Sequence, residues 1–107
     1  MFLTKYSANG NDFLITTAIK GANRANLAKK LCDRHDGVGA DGFVVLLPHD
    51  RFAYRWEFYN ADGSKANMCG NASRCIAHYA VAHKIAPKNH SFLSGAGAIK
   101  VRVARDM

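Results

Sequence analysis

Three cysteines punctuate the 107-residue chain, Cys32, Cys69 and Cys75, and their surroundings permit different chemistry. Cys69 opens the run Cys69-Gly70-Asn71, where a loop gives way to residues with helical spacing. A thiol at such a point meets unpaired backbone N–H groups and the positive end of a helix dipole, which favour a thiolate able to take up a proton and return it. The same N–H groups, at Gly70 and Asn71, form an anion site, and the absent side chain of Gly70 lets a carboxylate come close. The competing reading of Cys69 is a small apolar residue beneath a loop. Cys32 and Cys75 fall on the apolar faces of helices, where thiols pack inertly.

Other reactive residue types carry weaker signals. Asn11 and Asn60 each sit in a turn after a strand, where capping the backbone is as natural a role as holding a ligand. Asp12 and Asp62 read as turn residues for the same reason. The run Gly37-Val38-Gly39-Ala40-Asp41-Gly42 matches a dinucleotide fingerprint by letter. That fingerprint needs a strand before it and a helix after it, and the order here is reversed, so it reads as a turn whose glycines supply positive φ. No His or Cys pair has zinc-ligand spacing, so no metal is expected, and the five histidines read as surface or helix-face residues. No serine lies in a nucleophile elbow.

The elements that must hold these residues follow from periodicity. Met1–Tyr6 and Phe13–Thr17 are strand-like and flank an Asn-Gly turn. Asn23 to His35 has helical spacing at Leu27, Ala28, Leu31 and Cys32, with Asn23 as N-cap. Phe43–Leu47 is an apolar run, and Tyr54–Tyr59 alternates bulky and polar side chains, so both are strands. Asn71 to Lys84 forms a second amphipathic helix that Pro87 forbids from continuing. Ser91–Ser94, the turn Gly95-Ala96-Gly97, and the alternation Ile99, Val101, Val103 close the chain as a strand pair. The order ββ-α-ββ-α-ββ predicts an α+β domain, a mostly antiparallel mixed sheet wrapped around a central helix, with little to shield the far edge of the last strand.

Composition narrows the class. Residues are 49% hydrophobic and 21% charged, the proportions of one ordinary globular domain. Fifteen basic against eight acidic residues give +7. The basic residues are scattered, without a block or an aromatic-interleaved stripe, so nucleic acid is not the expected partner. Apolar stretches fall short of a bilayer span and Met1–Tyr6 lacks a signal peptide's core, so neither membrane nor export is expected. Reduced thiols in the cytoplasm are the expected state.

Gly10-Asn11-Asp12-Phe13, the turn Gly37–Gly42 and the run Tyr59–Cys75 with Cys69-Gly70-Asn71 together resemble the diaminopimelate epimerase family. The resemblance covers nearly all 107 residues but only the N-terminal half of that family's two-domain fold, so residues 1–107 are expected to be an epimerase domain lacking its C-terminal half. The family implies cofactor-independent inversion of LL- to meso-diaminopimelate, on the way to lysine and peptidoglycan, by two cysteines on opposite faces of the α-carbon. It assigns Cys69 as the N-terminal cysteine, Asn11 and Asn60 to substrate polar groups, and Gly70 and Asn71 to the α-carboxylate. One departure is Gly42, where many members set a glutamine. The implied partners are the small-molecule substrate and the C-terminal half, with a homodimer left open, and the isolated fragment is expected to be inactive. A related racemase or epimerase acting on proline or histidine, or a basic non-catalytic binding module, remains as the alternative.

Overall fold

The computed structural model describes residues 3–17 and 23–104. Its first unit is a hairpin set by two residues. β1 (Thr4–Ala8) and β2 (Asn11–Thr17) run antiparallel, with Ala8 opposite Asn11. That register leaves Asn9 and Gly10 as a two-residue loop at φ 51° and 84°, a type I′ turn whose twist matches that of its strands. The hairpin read from the sequence is present but displaced. Pairing begins at Thr4 and runs to Ala8, while Met1 and Phe2 lie outside the described residues.

Next come α1 (Arg24–Cys32), β3 (Gly42–Leu47), β4 (Tyr54–Asn60), β5 (Lys65–Ala66), α2 (Gly70–Ala82), β6 (Asn89–Ser94) and β7 (Gly97–Arg102). The sheet order is β1-β2-β3-β4-β6-β7, with β5 added to β4. The pairs β2–β3 and β4–β6 are parallel and the remaining pairs antiparallel. This is the mixed α+β sheet that the periodicity implies, plus β5. A strand of two residues is too short to show an alternation.

The two parallel crossovers place the helices. β4 runs opposite to β2, because β3 is parallel to β2 and antiparallel to β4. Both crossovers step in the same direction along the sheet. Parallel crossovers are almost always right-handed, so reversing the strand direction moves the connecting helix to the other face. The packing agrees. Phe13, Ile15, Val44, Leu46, Trp56 and Phe58 share one core with Ala72, Cys75, Ile76, Tyr79 and Ala80 of α2. Their neighbours Leu14, Phe43, Val45 and Tyr59 pack with Ala28 and Cys32 of α1.

Cover on both faces explains why β2 and β3 read as continuous apolar runs. β4 keeps its alternation, since Glu57 on the α1 side pairs with Arg24 at 3.1 Å and accepts from the Tyr59 hydroxyl at 2.8 Å. Burial and that bond push the Tyr59 hydroxyl up to about 12. α2 touches β1, β2 and β7, so the sheet curls around it, leaving a groove of about 800 Å³ between the two edge strands. Among the described residues, no helix is long and apolar enough to cross a membrane.

Three local details depart from the sequence reading. α1 stops at Cys32 instead of His35, because the Asp33 carboxylate accepts from the N–H groups of His35 and Asp36 at 2.8 and 3.1 Å. That local turn displaces another helical one. Within 37–42, only Gly39 has positive φ, +88°. Gly37 is required by the Lys30 and Leu31 carbonyls, which a Cβ would overlap, and Gly42 lies inside β3, where a Cβ would stand 2.8 Å from the Phe58 ring. His90 is not a surface residue but is buried in β6. Its Nδ1 lies 2.7 Å from the Pro87 carbonyl and its Nε2 lies 2.9 Å from the Tyr54 hydroxyl. A carbonyl only accepts, so Nδ1 carries a proton and donates it to Pro87.

Asp12 likewise serves as more than a turn residue. From β2 its carboxylate accepts from Arg34 Nη2 at 2.9 Å and pairs with Lys5 at 3.1 Å. The Asp41 N–H donates to its carbonyl and to its Oδ1, both at 2.9 Å. The Arg34 guanidinium, aided by Lys5 and this N–H, holds the Asp12 carboxyl well below the usual carboxylate range. A depressed folded-state value contributes stability that is complete above the unfolded value, 3.8, and is lost progressively as pH falls from there through the folded value. The thermal midpoint of Asp12→Asn should therefore trail the parent by a constant gap from pH 7 to about 5, and the gap should narrow progressively below about 4. A gap that persists unchanged at pH 2.5 would contradict this assignment.

Candidate active site

The start of α2 is built to leave donors free. Cys69 is the N-cap residue, extended at φ −152° and ψ 126°, and its side chain caps nothing. The Ser73 N–H closes the first helical bond onto the Cys69 carbonyl at 2.9 Å. The N–H groups of Gly70, Asn71 and Ala72 therefore have no acceptor within the helix. The first turn contains no acidic residue, so no side chain neutralises the positive end of the dipole. A Cβ built on Gly70 would meet nothing within 4 Å, and its φ lies outside the left-handed region. Neither packing nor backbone geometry requires glycine there. What glycine leaves is open space at the first residue of the helix.

The three thiols differ in burial. Cys69 is half-buried, whereas Cys32 and Cys75 are each 3% exposed. Burial pushes the Cys75 thiol up to about 11, with Cys69 adding to the effect. Burial, reinforced by the Asp12 charge, does the same to Cys32. Both remain protonated, inert packing groups at neutral pH.

The sheet delivers its polar groups to the same end as this helix start. β2 begins at Asn11, β3 begins at Gly42, and the antiparallel β4 ends at Asn60, with Gly42 opposite both Phe13 and Asn60. Asn11 is thus the first residue of a strand and Asn60 the last residue of one, rather than members of loose turns. Asn71 Nδ2 donates to Asn11 Oδ1 at 2.6 Å, which joins the helix start to β2. Asn9 Nδ2 donates in turn to Asn71 Oδ1 at 3.1 Å.

Asn60 stands apart from that chain of amides. Its Nδ2 donates to Ser64 Oγ at 3.0 Å and its N–H to the Ser64 carbonyl at 2.8 Å. Asp62 accepts from the Ser64 N–H and hydroxyl, the turn role its type suggests. Position 42 offers no side chain, and the space a Cβ would need is filled by Phe58, the Tyr59 carbonyl and Phe13.

Two participants escaped the sequence reading. Asn9 looked like half of a turn, and Asp41 like one letter of a glycine-rich run. Asp41 Oδ2 accepts from the Asp12 N–H at 3.0 Å and from Asn11 Nδ2 at 3.3 Å, and its Oδ1 accepts from Arg34 at 3.2 Å. A charged residue inside a turn rich in small residues was the available signal.

A half-buried thiol beside a cradle of free N–H groups and a set of oriented amides can move a proton next to a bound carboxylate. Comparison with known proteins gives the chain its family. Residues 3–107 match the family model of diaminopimelate epimerase. The chain is 55% identical over 103 residues to a diaminopimelate epimerase of Helicobacter pylori, covering 96% of this chain and 38% of that protein. It is 58% identical over 104 residues to one from Campylobacter jejuni, covering 95% and 41%. With one from Nitratiruptor it shares 54% over 107 residues, covering 100% and 43%. It therefore spans about two fifths of the length of these relatives.

Solved structures share the fold at low identity. A Bacillus anthracis phenazine biosynthesis protein of the PhzF family superposes with a TM-score of 0.76 at 15% identity, covering 95% of this chain and 35% of that one. A methylitaconate-delta-isomerase superposes at 0.72 and 11% identity, covering 97% and 35%. By sequence over almost its entire length, this chain belongs to the diaminopimelate epimerase family.

Proposed function

We propose that the chain is the N-terminal half of an enzyme that interconverts LL- and meso-diaminopimelate without a cofactor, and that Cys69 is one of its two acid–base groups. Inverting a stereocentre by proton transfer requires one group to remove the α-proton and a second, on the opposite face, to deliver another. Cys69 as thiolate takes the proton from one epimer, and the electron pair of the broken C–H bond moves onto the α-carboxylate. A thiol from the second half then protonates the other face. In the reverse direction the two sulfurs exchange roles. The N–H groups of Gly70 and Asn71 bind the carboxylate and stabilise the charge that accumulates on it. Asn11 and Asn60 hold polar groups of the substrate.

Support comes chiefly from the uncapped start of α2, where a thiol and free donors converge beneath a residue whose missing side chain the fold does not need. This gives a substitution that separates function from stability. Gly70→Ala fills only open space and should leave the thermal midpoint unchanged, or raise stability by up to about 1 kcal/mol through helix propensity. In the full-length enzyme it should lower kcat/KM on the order of 100-fold, by displacing the carboxylate. Equal activity in the alanine variant would argue against a ligand over this helix.

The cysteine itself is tested by stereochemistry. Cys69→Ser in the full-length enzyme should slow epimerisation by about 100- to 10,000-fold, read from the LL-to-meso ratio with time. The 107-residue chain alone, lacking the second thiol, should not epimerise. Undiminished turnover in the serine variant, or turnover by the isolated chain comparable to the full-length enzyme, would overturn the two-cysteine scheme.

A further inference from the structure

The amides at the site form a directed chain with one end fixed. An asparagine side chain presents an oxygen and an NH₂ group of nearly equal size, and a half-turn exchanges acceptor for donor. A row of such amides has two internally consistent settings unless something at one end can only accept or only donate. Here the row runs from Asn9 Nδ2 to Asn71 Oδ1, and from Asn71 Nδ2 to Asn11 Oδ1. It continues from Asn11 Nδ2 to Asp41 Oδ2, at 3.3 Å. A carboxylate accepts and cannot donate, so the Asn11 NH₂ must face Asp41 and its oxygen must face Asn71. Reversal would set the Asn11 oxygen against a negative charge.

We propose that Asp41 is a positioning residue: through its carboxylate it fixes the direction of the Asn11 amide, and through Asn11 that of Asn71, at the mouth of the site. Its own place is held from several sides. Its N–H donates to Asp12, its carbonyl accepts from the Ala61 N–H at 3.1 Å, and Arg34 binds Oδ1. The ion pairs around Asp12 thus locate a carboxylate whose task lies at the substrate end. This role rests on the reading of Asn11 as a substrate contact. A wrongly turned Asn11 would meet a substrate donor with a donor, or an acceptor with an acceptor, and the loss would appear in binding.

The test is a double-mutant cycle in the full-length enzyme, using Asp41→Ala, Asn11→Ala and the pair, with folding checked by circular dichroism. Asp41→Ala should raise KM about tenfold, with kcat changed less than about threefold, the effect of losing a charge-assisted bond. On the Asn11→Ala background it should raise KM no further. Asp41→Asn, which can still turn an oxygen toward Asn11 and the Asp12 N–H, should restore most of the affinity, and Asp41→Ser, whose shorter side chain falls short of Asn11, takes the place of the alanine variant in the cycle if that variant fails to fold. Additive effects of the two substitutions, or a KM unmoved by Asp41→Ala, would overturn the proposal.

A second readout does not depend on turnover. In ¹⁵N spectra of the full-length protein, the side-chain NH₂ signals of Asn11 and Asn71 should stand away from free-amide positions and collapse toward them in Asp41→Ala. Unchanged signals would overturn the positioning role. Asn11→Ala with an unaltered KM, alongside shifted amide signals, would instead remove the substrate-contact reading while leaving the orienting contact intact.

Discussion

The burial of one face of α2 in the curve of the sheet controls the geometry of everything else. Ala72, Cys75, Ile76, Tyr79 and Ala80 must lie against Phe13, Ile15, Trp56, Phe58 and their neighbours, and a helix fixed along that stripe has no freedom to rotate or slide. Its N-terminus is thereby set at the end of the sheet where β2 and β3 begin and β4 finishes. Ile76 and Ala80 are fully buried, and interiors packed to crystal-like density transmit small displacements instead of absorbing them. The site inherits its precision from that apolar contact, since the polar groups at the rim are themselves largely exposed.

The rim adds a second, weaker layer of order. Asp12 and Asp41 exchange hydrogen bonds across the junction of β2 with the segment after α1, and Arg34 bridges both carboxylates. Exposed ion pairs contribute little to stability. Arg34 is 55% exposed, so each of its pairs adds only a modest part of the stability that Asp12 draws from Arg34, Lys5 and the Asp41 N–H together. Their value at this position is orientation. They hold a carboxylate where its charge dictates how neighbouring amides turn, a task that needs geometry more than energy.

Glycine serves three unrelated purposes within a few residues of this rim. Gly10 supplies the backbone of a type I′ turn, Gly42 makes room for Phe58 and the Tyr59 carbonyl, and Gly70 does neither. Identical letters carry no hint of which purpose applies, because the difference lies in what surrounds the missing Cβ. The same holds for the cysteines in part: helical phase marked Cys32 and Cys75 as core residues, but the half-exposure of Cys69 depends on how the start of α2 packs against the core.

Periodicity and punctuation determined the element order, the α+β class and the Asn-Gly hairpin, because each depends on side chains within a few residues of one another. The placing of Cys69 at a helix start was legible for the same reason. Tertiary structure alone decided that α1 and α2 lie on opposite faces, that β5 adds to β4, that His90 is buried against Tyr54, and that Asp41 reaches Asn11. The Tyr54–His90 and Asn11–Asp41 contacts join residues 36 and 30 positions apart, brought together by sheet register and crossover handedness. Local pattern carries no record of such distant partners; they exist only once the strands have chosen their neighbours.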